Sequence, residues 1–320
     1  MLHKVNPKTK IRSVNEFVIK FANVNGSGSA SANALFAKTV LRMGVVATPR
    51  NIFPSNIQGL PTWYEVRVSE AGHLAARGDT CDMMVAMNPQ TWDQDIKSIA
   101  EGGYLFYDNT RHIPDTKFRD DITVVGVPLT QMSNEAYENP RQRQLFKNII
   151  GLGALAALMG LDTKVIEALF SEQFKGKEKL ASANIQALTM GFDWVKTHLD
   201  DPVELKVRAA NSVGDRIFVD GNTAASLGAV YGGATVCAWY PITPSSSLAE
   251  GFGSYCAKLR VDKETGRNKF AIVHDGEFVA SGFFIHAQFR AIAAKAFGQR
   301  RRGRDRIPRA YGCTPINSTK

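Results

Sequence analysis

The sequence predicts an α/β fold built on an open parallel sheet, and three observations support this prediction. Short apolar runs of strand length alternate with helical patterns through most of the first 130 residues. One run, residues 82–88, is nearly continuous in apolar residues, which is typical of a strand buried on both faces of a parallel sheet. The composition, 44% hydrophobic and 22% charged over 320 residues, is that of a globular chain of about two domains.

The expected elements follow from hydrophobic period and from glycine and proline punctuation. Strands are expected at 16–23, 44–48 (ended by Pro49), 62–69, 82–88, 104–107 and 122–127. Helices are expected at 34–42, 91–100 (ended by Gly102 and Gly103), 141–159, 163–174 and 179–199. A second α/β segment opens at about residue 216, with a helix over 223–232 and a strand over 234–239.

This pattern predicts five segments. They are an N-terminal extension 1–13, an α/β domain 14–200, a linker 201–215, a partial second α/β domain 216–298 and a basic tail 299–320. The linker is expected because Asp201-Pro202 interrupts the helical pattern and a short charged stretch follows. We expect the tail to lie outside any core, because its basic side chains cannot be buried without partners.

The net charge of +9 is concentrated in the tail. Residues 299–320 hold seven Lys and Arg side chains against Asp305, which leaves a net charge of only +3 for the rest of the chain. A nucleic-acid-binding function would therefore depend on the tail, and this remains an alternative hypothesis.

Membrane insertion and cysteine-based sites are not expected. The longest apolar stretch, 149–161, is shorter than the ~20 residues of a membrane span, and no secretory signal precedes residue 13. The four cysteines lie far apart in the sequence, which argues against disulfides, a zinc site or an iron–sulfur cluster held by this chain alone. A cytoplasmic location is the resulting expectation.

Gly26-Ser27-Gly28 follows a predicted strand and precedes a predicted helix. Such a turn can hold a phosphate group, because glycines let backbone N–H groups approach an anion. A dinucleotide site would also need an acidic residue at the end of the second strand, where this sequence has Thr48-Pro49. Three alternatives stay open: close helix–strand packing, another phosphate-bearing ligand, and a nucleotide-dependent dehydrogenase.

Tyr240-Pro-Ile-Thr-Pro-Ser245 directly follows a predicted strand and precedes a predicted helix. Its two prolines make a rigid loop at the carboxyl end of the strand, where parallel sheets bind ligands. A stiffened turn with a serine N-cap explains the pattern equally well.

Residues 221–234 and the segment 240–245 resemble the pyrimidine-binding domain of the alpha subunit of 2-oxoacid:ferredoxin (acceptor) oxidoreductases, above all the 2-oxoglutarate type. Residues 14–200 resemble the gamma domain of that family. The resemblance covers about residues 14–298 and implies a parallel-sheet gamma domain followed by a partial thiamine-diphosphate-binding α/β domain.

The resemblance implies oxidative decarboxylation of a 2-oxoacid, with coenzyme A accepting the acyl group and ferredoxin the electrons. Thr243 would approach the substrate near the thiazolium ring, and the neighbouring loop residues would bind substrate or cofactor: Tyr240, Pro241, Ile242, Pro244 and Ser245. Glu277 takes the place of the glutamate that contacts the aminopyrimidine ring, although a solvated turn carboxylate is an equal alternative.

Two features are absent from the sequence. A diphosphate-and-magnesium motif of the GDG…N kind is missing, so a beta subunit is expected to share the thiamine diphosphate and to supply Mg²⁺ and the iron–sulfur cluster. After about Phe297 the family pattern stops, which leads us to expect a truncation or a shifted reading frame.

Overall fold

A computed structural model describes residues 10–24, 26–52, 61–74, 78–239, 245–268 and 270–274. The chain divides into two compact units, Met1–Phe218 and Val219–Lys320. The basic tail lies outside the described residues. Within the described part, no helix combines the length and the apolar character that a membrane crossing requires.

The first unit is built on a six-stranded sheet. Its strands are β2 (Glu16–Asn23), β3 (Ala47–Ile52), β4 (Thr62–Ser69), β5 (Cys81–Ala86), β6 (Ile99–Asp108) and β7 (Thr123–Val127). Their order in the sheet is β3-β4-β2-β5-β6-β7. The pairs β2–β5, β5–β6 and β6–β7 are parallel, whereas β4 is antiparallel to both β2 and β3. The predicted α/β fold with a mostly parallel sheet is confirmed. The antiparallel part departs from the prediction of an all-parallel sheet, because no helix lies between β3 and β4 in the described chain to carry it back across the sheet.

Six helices cover this sheet. They are α1 (Ser29–Arg42), α2 (Trp92–Lys97), α3 (Leu129–Ala136), α4 (Pro140–Met159), α5 (Thr163–Gln173) and α6 (Glu178–His198). The Asn139 side chain accepts hydrogen bonds from the first turn of α4, and Gly160 ends that helix in the left-handed conformation. These two residues explain why α4 was predicted to within one residue of its bounds. The predicted bounds of α5 and α6 also agree to within one residue, whereas α1 begins five residues before the predicted start at residue 34 and α3 was not predicted.

The two faces of the sheet bury separate cores. Phe17, Ile19 and Phe21 of β2 point to the larger core, which is completed by residues of α1, α4, α5 and α6. Val18 points to the smaller core on the opposite face, together with Ile96 of α2. Every residue of β5 is buried, as predicted for a strand in the middle of the sheet.

The prediction that the second strand ends at Pro49 is wrong, because β3 continues through it to Ile52. Ser69 N donates to Val46 O, and Pro49 pairs with Val66. In an antiparallel pair alternate residues face the partner, so Pro49 turns its nitrogen away from β4. β3 is also the first strand of the sheet order, where a proline removes no ladder hydrogen bond.

Gly102 and Gly103 do not end a helix, contrary to the prediction. The helix stops at Lys97, and both glycines lie inside β6, at an irregularity in its pairing with β5. Gly102 has φ +75°, and a Cβ on Gly103 would lie 2.8 Å from Asp82 O. The glycines therefore allow a bulged strand to approach its neighbour closely.

The expected linker 201–215 is in large part packed into the first unit. Leu205–Lys206 form β8, which pairs in parallel with β1 (Ser13–Val14). The side chains of Val203, Leu205 and Val207 are buried in the larger core. Because residues 13–14 pair with residues 205–206, the predicted bounds 14 and 200 cut through this packed part of the structure.

The second unit contains α7 (Gly221–Tyr231), β9 (Val236–Trp239), α8 (Ser245–Leu259) and β10 (Ala271–His274). β9 and β10 are parallel partners. Val230, Phe252 and Cys256 form a small core between the elements. The order helix, strand, helix, strand agrees with the expected α/β character of this part.

Candidate functional site

The parallel strands of the first unit end at one edge of the sheet, and polar residues follow three of them. Asn23 ends β2, Asn88 follows β5 by two residues, and Asp108 ends β6. The carboxyl edge of a parallel sheet is where α/β proteins bind ligands. This edge is therefore the candidate site of the first unit.

The predicted glycine turn lies at this edge, between β2 and α1. Gly26 and Gly28 have φ values of +76° and +82°, the left-handed region that favours glycine. Ser27 N and Ser27 Oγ both donate to Val24 O, at 3.2 and 2.7 Å, and Ser29 N donates to Ser27 Oγ. Hydrogen bonds within the turn thus hold its backbone in place.

Two backbone donors at the turn have no acceptor among the residues that the structure describes. Gly28 is the N-cap of α1 and offers no side chain for capping. Among the described residues, none accepts a hydrogen bond from the N–H groups of Gly28 and Ala30. An anion could accept both bonds, because the amino end of a helix carries partial positive charge.

Four asparagines lie on the segments around the turn, and we call Asn23, Asn33, Asn88 and Asn148 the asparagine cluster. Asn33 Nδ2 donates to Asn23 Oδ1 at 2.6 Å, and Asn88 Nδ2 donates to Asn23 O at 3.0 Å. Asn148 Nδ2, from α4, donates to Ser27 O at 2.8 Å. Asn148 therefore links the turn to α4, and the other three asparagines link the end of β2 to α1 and to the residues after β5.

The space enclosed behind the turn is too small for a substrate. A cavity of about 30 Å³ lies between α1, α4 and the strand ends, lined in part by Ser29, Asn33 and Asn148. This volume suits a water molecule, whereas ligand sites usually measure ~300–1,000 Å³. A ligand of the turn would therefore bind on its outer side.

Asp108 accepts several hydrogen bonds at the same carboxyl edge of the sheet. Its carboxylate accepts hydrogen bonds from the backbone and the hydroxyl groups of Thr110 and Thr130. Thr130 lies in the first turn of α3, where a carboxylate is favoured by the helix dipole. Lys147 Nζ lies 3.8 Å from Asp108 Oδ2, which places a cation at this edge.

In the second unit the structure describes the two elements that flank the predicted loop. β9 ends at Trp239 and α8 begins at Ser245, so the strand–loop–helix order is as expected. Asn222 Nδ2 donates to Ser247 Oγ at 2.8 Å, which links the first turns of α7 and α8. Hydrogen bonds from the Thr223 side chain and backbone hold the pKa of Asp220, the N-cap of α7, below its usual value.

Most of the predicted site residues lie outside the described residues: Tyr240, Pro241, Ile242, Thr243, Pro244 and Glu277. Of the others, Gly26 and Gly28 are brought together in one turn, and Ser245 begins α8. Sequence reasoning missed the asparagine cluster and Asp108. The sequence did contain an indication of three of these residues, because Asn23, Asn88 and Asp108 come at or just after the ends of predicted strands.

The two strands joined by the turn and α1, β2 and β3, are not neighbours in the sheet. The strand after α1 is β3, and β4 separates it from β2 in the sheet. Dinucleotide-binding folds place the second strand beside the first, with its acidic end near the ribose. The topology therefore argues against the nucleotide-dependent dehydrogenase.

The comparisons with known proteins agree on one family. Residues 18–194 match the family described as pyruvate ferredoxin/flavodoxin oxidoreductase. The alpha subunit of 2-oxoacid:ferredoxin oxidoreductase 2 from Aeropyrum pernix is 24% identical over 262 residues, covering 70% of this chain and 40% of that subunit. The 2-oxoglutarate oxidoreductase subunit KorA of Mycobacterium tuberculosis is 26% identical over 260 residues, covering 72% of this chain and 40% of KorA.

A solved structure is similar over both units. It is the 2-oxoglutarate:ferredoxin oxidoreductase from Magnetococcus marinus with 2-oxoglutarate, coenzyme A and succinyl-CoA bound. It shares 26% sequence identity and a TM-score of 0.67, covering 81% of this chain and 43% of its own. The chain thus spans less than half the length of these relatives. The family match includes the glycine turn and most of the sheet, and the chain belongs to the pyruvate ferredoxin/flavodoxin oxidoreductase family.

Proposed function

We propose that this chain acts as the alpha subunit of a 2-oxoacid:ferredoxin oxidoreductase, with 2-oxoglutarate as its substrate. The observation that carries the proposal is the family match over residues 18–194, which spans nearly all of the six-stranded sheet and its helices. KorA and the Magnetococcus marinus enzyme are both named for 2-oxoglutarate, and this favours that substrate over other 2-oxoacids.

The proposed reaction consumes a 2-oxoacid, coenzyme A and two oxidised ferredoxins. The bond between the carboxylate and the 2-oxo carbon breaks, carbon dioxide leaves, and the acyl carbon forms a thioester with the coenzyme A sulfur. Two electrons pass singly to two ferredoxins, and the thiol proton is released. Thiamine diphosphate supplies the carbanion chemistry when it is bound, while Thr243 positions the substrate and Glu277 contacts the aminopyrimidine ring.

A partner subunit completes the proposed site. Among the described residues, no group of three His, Cys, Asp or Glu side chains could hold a metal ion. Cys81 and Cys256 are buried, and burial raises the pKa of both thiols, to about 12 for Cys81. Such thiols are poor cluster ligands. This fits a beta subunit that carries Mg²⁺, the iron–sulfur cluster and the diphosphate half of the cofactor site.

The glycine turn is proposed to hold a phosphate group of coenzyme A. The N–H groups of Gly28 and Ala30 have no acceptor among the described residues, and Asn148 holds the turn that presents Gly28 through its hydrogen bond to Ser27 O. Coenzyme A is a phosphate-bearing ligand of the Magnetococcus marinus enzyme. Since the diphosphate of the thiamine cofactor is assigned to the beta subunit, coenzyme A is the phosphate ligand left for this turn.

The catalytic part of the proposal is tested by replacing Thr243 with Ala in the chain co-expressed with its beta subunit. We expect folding to change by less than ~1 kcal/mol, while reduction of ferredoxin with 2-oxoglutarate and coenzyme A loses most of its rate. Thr235→Ala, at an exposed threonine of the same unit, is the matched control. A sharply lower melting temperature with unchanged turnover of the folded fraction would show that the loop is only a turn.

The phosphate-binding part is tested by replacing Ala30 with Pro, which removes one of the two proposed phosphate-binding N–H groups from the first turn of α1. We expect the KM for coenzyme A to rise about tenfold, as for a lost hydrogen bond to a charged group, with the KM for 2-oxoglutarate unchanged. Ala30→Ser keeps the N–H group and should behave like the natural chain. An unchanged KM for coenzyme A in Ala30→Pro would leave helix–strand packing as the role of the turn.

A further inference from the structure

A groove lies between α3 and α6, both of which pack on α4, and we call it the α3–α6 groove. Its volume is about 460 Å³. Met132, Met190 and Trp194 form an apolar floor, and each is partly buried against the larger core of the first unit. These three side chains are therefore partly exposed to solvent, on two helices that both pack on α4.

The rim of the α3–α6 groove is acidic. Glu135 lies on α3 and Asp193 on α6, both exposed, and no Lys or Arg is among the residues that line the groove. Lys196, the basic residue of α6 that follows Asp193 by three positions, lies over the Phe192 ring at 5.7 Å. Outside the basic tail the chain carries a net charge of only +3, and both charged residues that line the groove are acidic.

The chemistry of the groove selects the kind of occupant. Two carboxylates repel phosphate groups, nucleic acids and acidic proteins, and they attract Lys and Arg. Unbranched Met side chains adapt to the shape of an apolar residue. The Trp194 ring is stacked on His198 with centroids 4.6 Å apart, so it adds apolar contact at its exposed edge. The groove is wide open to solvent, which suits a polypeptide segment better than an enclosed small molecule.

We propose that the α3–α6 groove binds a basic, apolar-anchored segment of a partner protein, in which a large apolar side chain is flanked by Lys or Arg. The apolar residue packs on the two methionines and Trp194. The flanking cations pair with Glu135 and Asp193. Charge complementarity of this kind steers association and selects the partner, and the apolar contact provides much of the affinity.

The test measures binding of two labelled peptides to the full chain by fluorescence anisotropy. One peptide is Arg-Leu-Leu-Arg-Arg-Leu, and the other has Gln in place of each Arg. We expect the arginine peptide to bind and its Kd to rise about tenfold in Glu135→Gln/Asp193→Asn, since the variant removes both ion pairs. Asp79→Asn/Asp120→Asn, at two exposed acids outside the groove, is the matched control.

A second variant, Met190→Gln, tests the apolar floor and should also weaken binding several-fold. Circular dichroism confirms that each variant is folded. The proposal is overturned if the glutamine peptide binds as tightly as the arginine peptide, if the acid variants and the control bind alike, or if the arginine peptide does not bind at millimolar concentration. Because the readout is peptide binding, a failure here leaves the proposed oxidoreductase function unaffected.

Discussion

Asp95 of α2 is a fully buried carboxyl group that the proposed reaction does not use. It accepts hydrogen bonds from Trp63 Nε1 at 2.7 Å and from Thr91 Oγ1 at 2.6 Å. Burial raises the pKa of Asp95, and these hydrogen bonds and Lys20 only partly offset the rise. The folded protein therefore holds a proton on Asp95 at pH values where the unfolded chain has lost it.

This raised pKa predicts how stability depends on pH. The contribution of Asp95 is fully present below its unfolded pKa and is lost as pH rises through the higher folded pKa. We expect Asp95→Asn, which stays neutral, to become progressively more stable relative to the natural chain as pH rises through that window. Urea unfolding between pH 4 and 8 measures the difference. The exposed Asp79→Asn is the control, and a pH-independent difference for Asp95→Asn would contradict the prediction.

At the scale of elements, glycines decide how closely α4 and α6 pack. A Cβ on Gly153 would lie 1.9 Å from Leu188 O, and one on Gly191 would lie 1.9 Å from Ile150 O. Both contacts are with backbone atoms, so a side chain cannot simply rotate away. The backbones of the two helices therefore meet directly at these positions.

We expect Gly153→Ala to lower the free energy of unfolding by roughly 3 kcal/mol, because α4 and α6 must move apart. Gly151→Ala is the matched control on the same helix, since its Cβ would meet only Leu129 Cδ1, at an ordinary distance of 3.5 Å. The control should keep its stability or gain up to ~1 kcal/mol from helix propensity. Equal melting temperatures for the two variants would show that the helices do not pack as closely as described.

The carboxyl edge of the sheet shows which parts of the site a local pattern can reveal. The glycine turn was predicted because strand, glycines and helix follow one another within about thirty residues. The asparagine cluster was not, because Asn148 comes from α4, more than a hundred residues after Ser27, to which it donates a hydrogen bond. Local spacing contains no information about such a contact.

At the scale of the whole molecule, the first unit needs the segment that was expected to be a linker. Val203, Leu205 and Val207 are buried, and β8 pairs with β1. Farther on, Ala210 N donates to Met43 O and Ser212 Oγ donates to Gly44 O. Residues 203–212 therefore close the first unit.

Two fragments test this closure. A fragment of residues 1–218 should fold cooperatively, whereas residues 1–200 should lose about 5 kcal/mol of stability, since three buried aliphatic side chains contribute ~1.5–3 kcal/mol each. Urea unfolding followed by Trp fluorescence compares the two. Equal unfolding midpoints would show that the segment after residue 200 contributes nothing to the core.

The sequence by itself determined the α/β class, the long helices, the buried central strand, the glycine turn and the family resemblance. These follow from hydrophobic period, capping residues and short motifs, which act between residues close together in the chain. Only the tertiary structure decided the antiparallel β4, the passage of β3 through Pro49 and the packing of Leu205 in the core. Each of these depends on pairing between segments that are distant in sequence, and the free energy of that pairing overrides the local signal.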